Sequence, residues 1–396
     1  MSLAHDRGQR SLAARLMPAG AAAGLLATAL VAPSAAAAPG PQALLKPKAA
    51  VAQLEEPVVV AHRGASAYRP EHTIPAYELG ARMGADWIEP DLVPTKDGVL
   101  VARHENEISG TTDVEERPEF AARKATKVVD GGEVTGWFTE DFTLAELKTL
   151  RAEERLPELR PRNTAFDGRY QVPTFEEVLQ VRERLSEELG REIGIIPETK
   201  HSTYFASIGL PMEAEVARLL REYGLDDPDA PVAVQSFELT NLKELRTEHR
   251  LRADLVFLTW HEGAPYDLVA AGDERTYADL VIPSSLRDLS RYVDGIGPSL
   301  QMTFRFKADG SVGRPTNLIR NAHRAGLTVV PYTHRPENTF LPTDLRVGED
   351  PEEHGRAVDW ARAVFEAGAD GLFSDAPDLA DLARDDFMAE QERDAA

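Results

Sequence analysis

From Val58 onward, short β-branched and aliphatic runs alternate with longer stretches whose apolar residues recur every three or four positions. The short runs predict strands and the longer stretches predict helices. Val58–Ala61 reads as the first strand, and Ile74–Met83 as the helix that follows, with Thr73 as its N-cap and Pro75 in its first turn. Trp87–Val93 reads as a second strand, and Val99–Ala102 as a short one behind the Asp97-Gly98 turn. Further strands are predicted at Ile193–Pro197, Val232–Ser236, Asp254–Leu258, Tyr292–Ile296, Thr328–Tyr332 and Gly371–Ser374. Helices are predicted at Phe175–Leu189, Met212–Tyr223, Leu239–Glu248, Arg275–Leu280, Leu318–Ala325 and Val358–Ala367, with a last one from Asp378. Strand starts at 58, 87, 193, 232, 254, 292, 328 and 371 make eight repeats. Eight is the number that closes an α/β barrel of the (β/α)8, or TIM, type. An open doubly wound sheet fits less well, because no G-x-G-x-x-G follows the first strand. Residues 106–172 break the alternation, with one clear helix near Leu144–Leu150, and read as a long excursion.

The ends of the chain read differently. Arg7, Arg10 and Arg15 precede an apolar stretch and then "PSAAAAPG", the pattern of a secretory signal peptide over residues 1–38. Residues 39–55 read as a flexible mature N-terminus, residues 56–385 as the barrel, and residues 386–396 as a C-terminal tail at a fraying helix end. The expected location is therefore secreted. No other stretch is long and apolar enough to cross a bilayer, so stable membrane insertion is not expected. The 396 residues carry a formal net charge of −22, which argues against nucleic acid or an anionic membrane as the main partner. A small phosphate substrate remains compatible, because a metal or a few local cations can reverse the sign within a cleft. The absence of cysteine removes thiolate zinc sites and a Cys nucleophile.

Catalytic side chains of such a barrel sit at the C-terminal ends of its strands. The first strand ends in His62-Arg63. The second carries Glu89 and Asp91 two residues apart, so period-two alternation turns both to one side. Two such carboxylates repel unless a cation lies between them, and a hard divalent ion suits oxygen ligands. The third strand ends in Glu198 and Lys200, and the fourth in Gln235 and Phe237, a polar rim and an aromatic wall for a substrate. Alone, an E-x-D reads more simply as one carboxylate facing the mouth and the other paired with an arginine, and an E-x-K pair as a surface salt bridge. Repetition at one rim is what points to a metal site of Glu89, Asp91 and Glu198, with Arg63 and Lys200 as cations for an anion. His104, just past the short strand, can fold back over this rim, and with His62 it supplies acid–base chemistry near neutral pH. His201, His249, His261, His323 and His354 have no ligand spacing and are expected at the surface, with His72 in a loop or rim and Glu71 orienting Arg63 or a nearby loop. No nucleophile elbow, Walker loop or H-E-x-x-H motif is present.

The stretches "HRGASAYRPEHTIPAY", "GADWIEPDLVPTKDGVLVARHE", "IPETK", "VQSF", "DGIGPS" and "GADGLFSDAPD" together resemble the glycerophosphodiester phosphodiesterase family, most closely its secreted, periplasmic-type bacterial members. The likeness runs in order from about Val58 to Leu382. It implies a barrel of the phosphatidylinositol-phosphodiesterase superfamily type with a small insertion after the second strand. It implies one divalent metal, Ca²⁺ first and Mg²⁺ second, held by Glu89, Asp91 and Glu198, with His62 and His104 as the acid–base pair and Arg63 and Lys200 on the phosphate. The implied reaction is hydrolysis of a small glycerophosphodiester to glycerol 3-phosphate and an alcohol. Two departures stand out: Glu105 follows His104 where the family usually has Asp, and His334-Arg335 follow Tyr332-Thr333, where variable rim residues are expected. Competing readings are a related activity on phospholipid or cell-wall glycerophosphate polymer, and a non-catalytic surface-binding barrel. The acidic surface disfavours the lipid version, and the full set of His62, Glu89, Asp91, His104 and Glu198 disfavours an inert scaffold. The alcohol group and the oligomeric state are left open.

Overall fold

The structure is a computed structural model and describes residues 56–395. The expected signal peptide and mature N-terminus fall outside these residues. Strands form at β1 (Val58–Ala61), β2 (Trp87–Ile88), β3 (Asp91–Pro94) and β4 (Leu100–Ala102). The insertion adds β5 (Ala125–Val129) and β6 (Gly132–Gly136), and the barrel resumes with β7 (Gly194–Ile195), β8 (Glu198–Thr199), β9 (Ala233–Ser236), β10 (Asp254–Thr259) and β11 (Gly295–Pro298). A small hairpin of β12 (Phe304–Phe306) and β13 (Val312–Pro315) precedes β14 (Thr328–Val329) and β15 (Gly371–Ser374).

Parallel pairing runs β15-β1-β2-β7 in one ladder and β14-β11-β10-β9-β8-β3 in the other. The ladders join where Ile195 pairs with Val232, and again where the Phe373 amide donates to the Pro331 carbonyl at 3.0 Å and His334 pairs with Ser374. The result is a closed ring of eight strand positions, a TIM barrel. Two of those positions are split, β2 from β3 at Glu89-Pro90 and β7 from β8 at Ile196-Pro197. Proline has no N–H to give the ladder, so the single strand expected over Trp87–Val93 breaks in two. The sixth strand begins at Gly295 rather than Tyr292, and the short helix expected from Arg275 begins at Tyr277, behind a capping box of Thr276 and Asp279.

Side-chain alternation divides the core. Val58, Val60, Trp87, Ile196, Ala233, Val256, Leu258, Val330 and Phe373 fill the barrel, while Val59, Ile88, Leu92, Val234, Leu255 and Ile296 pack outward against the helices. Trp87 lies flat against Gly194, where a Cβ would stand 2.2 Å from the indole, so only glycine fits there. The inserted segment carries the β5–β6 hairpin, which the sequence reading did not anticipate, and packs Phe120, Trp137, Phe138 and Phe142 against the main core. The last helix, Pro377–Ala395, runs on without a break at residue 386, and Phe387 packs near Phe365 with ring centroids 6.3 Å apart. Residues 386–395 thus continue the last helix. Among the described residues no helix is long and apolar enough to cross a membrane.

Candidate active site

The inward positions of successive strands carry the site. Two residues beyond the buried Val60 comes His62; beyond Trp87 come Glu89 and Asp91; beyond Ile196 come Glu198 and Lys200; beyond Ala233 come Gln235 and Phe237. They meet with His104 around one cavity of ≈ 630 Å³ at the mouth. Asp91 is the exception to the lining, lying beneath it and 1% exposed.

Glu89, Asp91 and Glu198 are buried, and one oxygen of each lies within 4.8 Å of the others. Gln235 Nε2 donates to Glu89 Oε1 at 2.7 Å, and the Arg63 amide donates to Glu89 Oε2 at 3.0 Å. Gln235 lines the cavity but is fully buried, with its amide nitrogen held by Glu89. Lys200 Nζ stands 2.9 Å from Glu198 Oε1. Burial, opposed by Lys200 and reinforced by Asp91, pushes Glu198 up to about 7. Burial together with Asp91 and Glu198 raises Glu89 well above the carboxylate range. Asp91 is held low despite its burial, by His72, Lys200 and Arg63. Its Oδ1 is buried with no hydrogen-bond partner. Three converging carboxylates, two of them reluctant to ionise side by side, and an orphaned oxygen fit a hard divalent cation.

The two histidines share one arrangement. His62 Nδ1 donates to Asp375 Oδ1 at 2.5 Å, and its Nε2 faces Thr333 Oγ1 at 3.5 Å and Glu89 Oε2 at 3.8 Å. His104 Nδ1 is 2.9 Å from Glu105 Oε1, and its Nε2 lies 3.4 Å from Lys200 Nζ. A carboxylate only accepts, so each ring carries its proton on Nδ1 and turns the Nε2 lone pair inward. Burial, and then the charge of Arg63, lowers His62 to about 4, against the pull of Asp375. Burial, Arg63 and Lys200 lower His104 in the same way. Both rings are neutral in the free protein near pH 7. An anion among these cations would favour their charged forms.

Several partners were not anticipated. Asp375, at the inward position two beyond Phe373, is 1% exposed and also receives Arg160 Nη2 at 2.5 Å, with Arg335 Nε at 3.2 Å. The period-two spacing that singled out Glu89 and Asp91 was present in "FSD" as well. His72 lies in the loop before the first helix, as expected, but is fully buried, bonded through Nε2 to Asp91 Oδ2 at 2.9 Å and through Nδ1 to the Tyr77 hydroxyl at 2.8 Å. Glu71 does orient Arg63, whose Nη1 reaches both its oxygens at 3.0 and 3.1 Å. His334 is fully buried under the rim between Ser374 and the Ala357 carbonyl, while Arg335 lines the cavity. His201, expected at the surface, is tied to Glu105 and Asp130, and His323 is tied to Asp370.

The chain is 33% identical over 335 residues to glycerophosphodiester phosphodiesterase GDPD6 of Arabidopsis thaliana, covering 82% of this chain and 84% of that one. It is 29% identical over 343 residues to the glycerophosphodiester phosphodiesterase of Haemophilus influenzae, covering 81% and 88%. In fold it is similar to the glycerophosphodiester phosphodiesterase of Agrobacterium tumefaciens, with TM-score 0.51 at 20% identity over 82% of this chain and 99% of that one. It is also similar to an Oleispira antarctica phosphodiesterase solved with the product sn-glycerol-3-phosphate, with TM-score 0.50 at 20% identity over 83% and 97%. Residues 62–379 match the model of the glycerophosphoryl diester phosphodiesterase family, and the chain belongs to that family.

Proposed function

We propose that this protein hydrolyses small glycerophosphodiesters to glycerol 3-phosphate and an alcohol, by acid–base catalysis between His62 and His104. The observation that carries this reading is the pair of carboxylate-held imidazoles with their Nε2 atoms turned into one cationic cavity. Arg63 and Lys200 bind the phosphate oxygens and offset charge as it develops on them. One histidine takes the proton of the attacking hydroxyl as its oxygen bonds to phosphorus. The other, brought to its imidazolium form by the bound anion, gives its Nε2 proton to the alcohol oxygen as the P–O bond to it breaks. Phe237 and its neighbour Tyr332, whose ring centroids are 5.9 Å apart, wall one side of the cavity. Glu89, Asp91 and Glu198 would hold one divalent cation, for which an all-oxygen site suits Ca²⁺ and Mg²⁺ alike and the family resemblance puts Ca²⁺ first. When bound, such an ion polarises a phosphoryl oxygen as a Lewis acid.

Incubation with glycerophosphocholine, read by coupled detection of glycerol 3-phosphate, tests the reaction. Wild-type turnover is expected, and His62→Ala and His104→Ala should each lose about 10²-fold or more in kcat while remaining folded. Full activity in either variant removes that histidine from the chemistry. Turnover of lipid or polymer substrates alone would reassign the substrate class. The same reading places the enzyme outside the cytoplasm, on the strength of the leader pattern over residues 1–38. N-terminal sequencing of exported protein should begin near Pro39, and an intact Met1 on the exported form contradicts cleavage.

A further inference from the structure

The environment of His104 extends beyond the residue that touches it. Glu105 offers one oxygen to His104 Nδ1 at 2.9 Å and the other to His201 Nε2 at 2.9 Å. His201 in turn directs Nδ1 to Asp130 Oδ2 at 2.6 Å. Three distant segments therefore meet: the end of β4, the residue after Lys200 at the end of β8, and the turn of the β5–β6 hairpin. Neither His201 nor Asp130 lines the cavity.

Several features show that this junction is built. His201 has φ +51° and Asp130 φ +48°, left-handed conformations that non-glycine residues adopt at a cost. Both N–H groups of His201 are spent on carboxylates, so its ring is fixed in the doubly protonated form that only two acceptors can satisfy. Against burial, which lowers it, the bonds to Asp130 and Glu105 push His201 up to about 9. Glu105 is half-exposed and has three side-chain torsions, so by itself it is a loose anchor for an imidazole. His201 supplies the second point that pins it. With Glu105 pinned, the proton of His104 stays on Nδ1 and the Nε2 lone pair stays aimed at Lys200 and the cavity.

We propose that His201 and Asp130 are positioning residues for His104, joined to it through Glu105 in one hydrogen-bonded chain that fixes its tautomer and ring orientation. The inserted hairpin is then part of the acid–base apparatus, although it contributes no group to the cavity. The inference rests on the acid–base role given to His104 above.

The test uses the full chain with His201→Ala, His201→Gln and Asp130→Ala. Turnover of glycerophosphocholine by His201→Ala should fall roughly 10-fold in kcat with KM within about twofold, since orientation and not substrate binding is lost. His201→Gln, whose amide can still donate to Glu105, should recover part of that loss. In a His104→Ala background the further change His201→Ala should cost nothing, because the group it positions is gone. A wild-type kcat in His201→Ala, or an equal loss in both backgrounds, overturns the proposal. Asp130→Ala, at an exposed hairpin turn, should act in the same direction and serves if His201→Ala does not fold. A second readout needs no turnover: ¹⁵N-histidine NMR, with His104→Ala to assign the signal, should show His104 as the Nδ1–H tautomer in wild type and mixed in His201→Ala. Identical tautomer populations in the two proteins sink the positioning role. Absence of wild-type turnover with the tautomer shift intact would instead sink the reaction proposed above and leave the chain of contacts standing.

Discussion

Asp375 shows how much a single buried carboxylate organises. It holds His62 on one oxygen and Arg160 on the other, with Arg335 close by, all in a site 1% exposed. Both arginines can only donate, so an asparagine here would turn its amide oxygen to them and its NH₂ to His62. That reverses the His62 tautomer and leaves a neutral ring with its proton on Nε2, which can neither take a proton there as a base nor release one as an acid. We expect Asp375→Asn to reduce kcat by about 10²-fold or more with a small change in KM. It should also lower stability, because it removes the charge that compensates two buried guanidinium groups. Circular dichroism must therefore confirm folding, and a folded variant within twofold of wild-type kcat refutes the role. Period-two spacing made seven residues of the site legible in the sequence, His62, Glu89, Asp91, Glu198, Lys200, Gln235 and Phe237, and it marked Asp375 too, which went unread. His72, Arg160 and His201 were not legible, because each reaches the site from a loop, and loops have no periodicity from which a direction can be read.

At the scale of elements, the strand–helix alternation announced the eight-fold ring, since each buried strand is a short apolar run. The breaks at Pro90 and Pro197 and the β5–β6 and β12–β13 hairpins were less visible. The exposed faces of those hairpins lack the apolar run that marks a barrel strand, and their existence depends on packing against the core. One strand carries a cost of its own. Asp254 opens β10 and is buried, and burial together with Asp294 pushes it up to about 9, with Arg246 opposing. In the unfolded chain the same group ionises near 3.9. A raised acid means the folded state keeps a proton that the unfolded state has released, so stability is fullest below about pH 4 and declines as pH rises toward 9. The slope from this one group is at most about 1.4 kcal/mol per pH unit, and less because of its residual solvent contact. Asp254→Asn should abolish that slope. Urea unfolding at pH 5 and pH 8 should show the variant gaining on wild type at the higher pH. An unchanged difference between the two pH values contradicts the assignment.

The whole molecule sets a strongly acidic surface against a cationic cavity. The chain carries a net charge of −22, yet Arg63, Arg155, Lys200 and Arg335 all line the mouth. An anionic diester is drawn inward only once it passes that surface, and local charge, not net charge, governs its binding. A divalent ion among Glu89, Asp91 and Glu198 would strengthen this inversion and relieve the repulsion between their carboxylates. The fold itself does not depend on the ion, because Trp87, Phe373 and the aliphatic layers beneath fill the barrel without it. Chelation should therefore abolish turnover while leaving the secondary structure in place. Calcium added to chelated protein should then raise the unfolding temperature, with about 2.7 kcal/mol of stabilisation when free ion is one hundred times its Kd. Glu198→Gln should blunt that shift, since it replaces one charged ligand with a neutral oxygen. Calorimetry of the chelated, calcium-loaded and Glu198→Gln proteins reads all three. A chelated protein that keeps full activity, or a calcium-induced shift of the same size in Glu198→Gln, would move the ion away from this triad.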